Sequence, residues 1–210
     1  VEVQQETLAC LCNLSLSGCI GDNPLEFIEA VDVHSLVSFL CSADTTYRLF
    51  GAVTLGNIAS DLTHHEEIIE GGALAPLIAV SNAADLETQR CIAYALCNLA
   101  ADPARRPAIV AEGGLPPLIS LACSEDPEDQ HAAISTLRGL SAAPDSRVKI
   151  VEEGALEPMT LGARCEDVMV QQEVAACVMN LSLSEENKIS IANSTVMPEL
   201  VALALSSDSI

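Results

Sequence analysis

The stretch THHEEIIEGGALAPLIAVSNAADLETQRCIAYALCNLAA, from Thr63 to Ala101, decides the reading of the whole chain. It divides into three helical segments with breaks at definite places. A short first helix is predicted over His64–Glu70 and carries Ile68 and Ile69. Gly71-Gly72 ends it, because glycine accepts the left-handed conformation that turns a helix sharply. A second helix, Leu74–Ser81, holds Pro76 in its first turn, where the missing N–H costs nothing. A third and longer helix covers Leu86–Ala101. Ala93, Leu96 and Leu99 face inward on it, and Ile92 and Ala95 support packing to neighbours.

The pattern returns every 41 residues. Leu36, Leu77, Leu118, Met159 and Leu200 keep that spacing, and so do Phe27, Ile68, Ile109, Ile150 and Ile191. Gly72, Gly113 and Gly154 follow it, as do Pro76, Pro117 and Pro158. Inward positions equivalent to those above are Ala52, Leu55 and Ile58, then Ile134, Leu137 and Leu140, then Ala175, Val178 and Leu181. Val3-Gln-Gln-Glu6 and Cys10-x-x-Asn13-Leu14 recur as Val170-Gln-Gln-Glu173 and Cys177-x-x-Asn180-Leu181, three residues beyond four periods. An insertion of three therefore lies between Asn13 and Asn57, most naturally around Ser17–Pro24.

Units that cannot bury their faces alone must stack, and at least about three are needed for a stable array. The expected units are 1–17 (third helix only), 24–60, 63–101, 103–142, 146–183 and 185–210 (partial), forming one domain. The chain opens inside a third helix and stops near a second one, so the expectation is a window of a longer solenoid. The first residue is Val1 rather than Met, and a localisation or membrane-anchoring signal could precede it.

Composition agrees with packed helices. Half of the 210 residues are hydrophobic but only 2% are aromatic, with no Trp. A formal charge of −21 repels a phosphate backbone and disfavours nucleic acid and anionic membrane surfaces. The acidity fits a basic partner, and it equally fits acids that keep an apolar stack in solution. The acidic clusters Glu66-Glu67, Glu125-Asp126-x-Glu128-Asp129, Glu152-Glu153 and Glu185-Glu186 fall between helices or near helix starts, where capping explains them. No apolar run approaches the length of a membrane span.

The nine cysteines show no framework spacing. Cys10, Cys12, Cys91, Cys97 and Cys177 read as small buried hydrophobes in a reducing compartment, the cytoplasm first of all. Cys10-x-Cys12 lacks a companion ligand pair, and His64-His65 point about 100° apart on a helix, so no metal is expected. No phosphate loop and no nucleophile–base constellation is recognisable. The chain is expected to be non-enzymatic and to need no cofactor.

The residues resemble the armadillo-repeat family. The matching pattern appears as Gly72-Ala-Leu-Ala-Pro-Leu77 with Cys97-Asn98-Leu99-Ala100, as Gly113-Gly-Leu-Pro-Pro-Leu118, and as Gly154-Ala-Leu-Glu-Pro-Met159 with Met179-Asn180-Leu181-Ser182. The HEAT family shares a similar period but has two helices and no glycine break. In tone the repeats are similar to the vacuolar armadillo proteins and other armadillo-only scaffolds. The resemblance implies an all-α, right-handed α-solenoid with three helices per unit, acting as a scaffold or adaptor for other proteins.

It also implies a concave groove lined by third helices, in which Asn13, Asn57, Asn98 and Asn180 form a ladder. A carboxamide can bond both the N–H and the C=O of an extended peptide. The alternative is that each Asn ties its helix to adjacent backbone. At helical spacing before each Asn, the groove neighbours include Tyr94, Arg90 and His131. In the unit over 103–142 the rung is missing: Gly139 stands there with Arg138 beside it. Arg90, Arg138 and His131 then give a modest basic patch that an acidic or mixed peptide could contact. Import adaptors of this family place a Trp four residues before the Asn, and this chain has none, so nuclear-signal binding is disfavoured. Two further roles remain open: a structural subunit of a ciliary or cytoskeletal assembly held by its edges or convex face, and the substrate-binding array of a ubiquitin ligase.

Overall fold

A computed structural model describes Glu6, Cys10, residues 32–81 and residues 84–205. Cys12, Asn13, Phe27, the rest of the first unit's expected third helix and the three-residue insertion lie outside the described residues. Thirteen α-helices and one 3-10 turn make up the described residues, with no strand among them.

Four long helices begin on aspartates spaced 41 apart. Asp44, Asp85, Asp126 and Asp167 cap α2 (Thr45–Ile58), α5 (Leu86–Ala100), α8 (Pro127–Ser141) and α11 (Val168–Ser182). Their carboxylates accept from the N–H of Thr46 at 2.8 Å, Thr88 at 3.0 Å, Glu128 at 3.0 Å and Met169 at 2.7 Å. Such a cap stabilises a helix by about 1 kcal/mol. A second series, Arg48, Gln89, Gln130 and Gln171, also 41 apart, donates back to carbonyls near the end of the preceding helix at 2.7–3.4 Å. Local bonds of this kind fix where each long helix enters.

The second helices are α1 (Val33–Leu40), α4 (Leu74–Ser81), α7 (Leu115–Ala122), α10 (Leu156–Arg164) and α13 (Val196–Leu205). The short first helices are α3 (His65–Glu70), α6 (Arg106–Ala111), α9 (Pro144–Glu152) and α12 (Glu185–Ala192); the 3-10 turn Leu62–His64 precedes α3. Between first and second helices the chain turns on Gly72, Gly113 and Gly154, at φ of 73°, 89° and 96°. The N–H of Gly72 bonds Ile69 O at 3.0 Å and that of Ala73 bonds Ile68 O at 3.2 Å, with equivalent pairs at Gly113 and Gly154. These are Schellman caps, and the left-handed residue in them is best supplied by glycine.

Third helices stack on third helices, α2 on α5, α5 on α8 and α8 on α11. The second helices α7, α10 and α13 stack similarly. One continuous core runs through all of them from Val33 to Val196. Leu36, Leu77, Leu118 and Met159 are buried in it, with Ile68, Ile109, Ile150 and Ile191. Leu200, the last of the leucine series, is only half-buried.

Three expectations are corrected. Ala175 is exposed, although its counterparts Ala52, Ala93 and Ile134 are buried: their helices each pack against a following third helix, and among the described residues none packs beyond α11. Cys10 is exposed, whereas Cys177 is buried and Cys91 and Cys97 are half-buried. Glu152 and Glu153 sit at the C-terminal end of α9 rather than at a helix start, so they do not complement its dipole. Glu66-Glu67 and Glu185-Glu186 do occupy first turns.

Candidate groove along the third helices

Asn57, Asn98 and Asn180 all lie in the last turns of third helices and are half-buried. Asn98 Nδ2 donates to Gly56 O, one repeat back, at 2.9 Å. Asn180 Nδ2 reaches Arg138 O at 3.4 Å and Ser141 Oγ at 3.1 Å, again one repeat back. One face of the Asn98 and Asn180 carboxamides therefore ties adjacent third helices together. Between α2 and α5 the structure brings Asn57, Tyr94 and Asn98 to a single cavity of about 300 Å³. Val53, Gly56, Ser60 and Cys91 complete its wall. Small residues make this room, and the Tyr94 ring supplies one flat side.

Tyr94 is held in place from the next repeat. Its hydroxyl donates to Asp129 Oδ1 at 2.5 Å. Burial, and then this carboxylate, push the phenol up to about 12. Arg90 Nε and Nη2 lie 2.9 and 2.8 Å from the same carboxylate oxygen, and Nη2 also contacts Asp126 at 3.1 Å. Ser124 Oγ donates to Asp129 Oδ2 at 3.0 Å. Asp129 is thus more than part of an acidic cap: it is 2% exposed and is the junction between α5 and α8.

Arg90 turns away from the Asn57–Tyr94–Asn98 cavity. It borders a second cavity of about 560 Å³, where the start of α5 meets α7 and the start of α8. Arg138 is ion-paired too, its Nε lying 2.9 Å from Glu173 on α11. His131 is half-buried, with Nε2 buried and unbonded. The basic patch expected from Arg90, Arg138 and His131 is therefore dispersed: both arginines are already matched by acids of the following repeat.

At the missing rung, the side chain beside Gly139 is Arg106. A Cβ at Gly139 would stand 3.1 Å from Arg106 Cζ. Nothing in the local sequence marks Arg106 for this place, because it reaches there from α6. Asp129 could have been singled out only by pairing it with Arg90, 39 residues away.

Burial pushes the thiols of Cys97 and Cys177 up to about 11 and about 12, so both are held as neutral thiols. No cluster of metal-ligating side chains occurs among the described residues, and no helix there is long and apolar enough to cross a membrane.

Residues 102–142 match the family model of the armadillo/beta-catenin-like repeat. No curated protein matches the chain. Solved structures do. Computationally designed armadillo repeat proteins for modular peptide recognition superpose with a TM-score of 0.81 at 23% identity, over 98% of this chain and 87% of theirs. An engineered protein superposes with a TM-score of 0.80 at 30% identity, over 99% of this chain and 51% of its own. A designed armadillo repeat protein in complex with the peptide (KR)4 gives 0.77 at 23% identity, over 98% and 87%. With its 41-residue period, its glycine-broken helix triples and its third-helix stack, the chain has the armadillo-repeat fold, and its residues 102–142 match the armadillo/beta-catenin-like repeat itself.

Proposed function

We propose that this chain is a protein-interaction scaffold that takes an extended peptide segment along its third helices. The observation carrying this reading is the cavity between α2 and α5, where Asn57, Tyr94 and Asn98 meet. It offers amide groups for a peptide backbone and an aromatic wall for one side chain. The designed relatives named for peptide recognition, and the one bound to (KR)4, support the same mode. The acid excess of the chain favours peptides with basic flanks, which it would attract over a Debye length of about 8 Å at physiological salt.

The test begins with a displayed library of random linear peptides about twelve residues long, about 40 Å when extended. Selection on the 210-residue chain should yield binders. The double variant Asn57→Ala, Asn98→Ala should weaken them at least about tenfold, while its helical melt shifts only by the roughly 1 kcal/mol expected for each bond that a carboxamide gives up. Binders indifferent to both substitutions would place recognition elsewhere.

A further inference from the structure

Arg106 does at Gly139 what asparagine does at the other rungs. Asn180 bridges α11 to α8 through Arg138 O and Ser141 Oγ. One repeat earlier the position of Asn180 is Gly139 and that of Ser141 is Ala100. Arg106 joins those two positions: Nε donates to Ala100 O at 2.8 Å and Nη1 to Gly139 O at 3.1 Å. Its Nη2 stands 3.2 Å from where a Cβ on Gly139 would be. The guanidinium therefore fills the space of the absent carboxamide.

Its charge has no counterpart. Arg90, Arg105, Arg138, Arg164 and Lys188 each pair with a carboxylate; among the described residues none lies within 4.0 Å of Arg48, Arg106, Arg147 or Lys149, and of these four Arg106 is the one that stands at the Gly139 rung. Its bonds to Ala100 O and Gly139 O use two of the five guanidinium N–H groups and go only to neutral carbonyls. The side chain is half-buried, so it keeps a face toward solvent.

The geometry points to Arg106 as a specificity-determining residue of the groove, reading a carboxylate side chain on the bound peptide at the Gly139 rung. This rests on the groove reading above. A fork of free N–H groups matches a carboxylate better than an amide does, and the pairing needs no neutral rung. The ligand is then a mixed peptide: an Asp or Glu at one register, with basic residues outside it.

The peptides selected from the library supply the probe. They should share an Asp or Glu at one register. Arg106→Gln keeps an N–H donor and removes the charge; it should weaken the acidic peptide by roughly tenfold. The same peptide with its carboxylate changed to the amide should bind Arg106→Gln and the parent chain alike. Gly139→Asn, which rebuilds the rung and displaces the guanidinium, should abolish the acidic preference. Arg106→Glu should move selection to Lys or Arg at that register. If peptides depend on Asn57 and Asn98 yet show no acidic register, or if Arg106→Gln weakens acid and amide peptides equally, Arg106 is only a tie between helices. If no peptide depends on Asn57 and Asn98, the groove reading falls and this inference with it.

Discussion

Two neighbouring joints of the solenoid meet the same need with different groups. Where α8 meets α11, Asn180 crosses the seam, and Arg147 from α9 caps the end of α8 through Ser141 O and Ala142 O. Where α5 meets α8, glycine replaces the asparagine, and Arg106, which corresponds to Arg147, swings across to Gly139. In both, the last carbonyls of a third helix face a seam, and such groups require a donor. A neutral amide suffices at one joint; at the other the donor brings a charge. The comparison teaches that the repeat preserves a bond across the seam while leaving its chemistry variable, which is the variation on which the proposed reading of the peptide by Arg106 depends.

The largest effect is expected beneath the rungs, where the joints should not differ. Leu137 and Leu181 are both fully buried. Truncating either to Ala should cost about 2–5 kcal/mol in denaturant unfolding. A clearly smaller loss at Leu181 would mean that the α11 side of the core is loosely packed and the joints are not comparable.

The next effect sharpens the contrast from the α5 side. Asp129→Ala removes the acceptor shared by Arg90, Tyr94 and Ser124. A loss of about 2 kcal/mol is expected, below the 3–5 of a fully buried pair because water reaches Arg90. The same contact has a pH signature. The Tyr94 phenol is raised to about 12 in the fold, against about 10 in an unfolded chain. Its contribution is therefore complete below pH 10 and lost as pH rises through about 12, since the unfolded state gives up the proton first. Alkaline melts of the parent chain and Tyr94→Phe should diverge in that window; parallel curves would contradict the contact.

The smallest effects compare the rungs directly. Asn180→Ala should cost about 1 kcal/mol for its seam bond. Gly139→Ala should stabilise by up to about 0.5 kcal/mol: alanine gains helix propensity of up to about 1 kcal/mol, and the far end of Arg106 must give way slightly. Opposite signs at equivalent positions would show that the bridge at Gly139 comes from Arg106; a loss at both would show that Gly139 is needed for close packing.

Much of this was legible in the residues themselves. The helices of the Thr63–Ala101 unit lie within a residue of their expected ends at α3, α4 and α5, because glycine breaks, first-turn proline and apolar spacing are local signals. The inward positions were legible too, except Ala175, whose burial depends on a neighbour rather than on its own helix. Of the aspartates spaced 41 apart at 44, 85, 126 and 167, only Asp126 falls in an acidic cluster that capping explains; the other three stand outside those clusters, and the helix starts they cap identify them.

The sequence by itself determined the repeat, the three-helix unit, the core-facing stripes and the asparagine positions, since each is set by spacing within one unit. Only the tertiary structure decided what the polar side chains do. Arg90 finds Asp129 across 39 residues, Arg106 finds Gly139 across 33, and Asn98 finds Gly56 across 42. A long side chain sweeps a radius larger than the gap between stacked helices. Its partner is therefore selected by how repeats pack, and no local pattern records that choice.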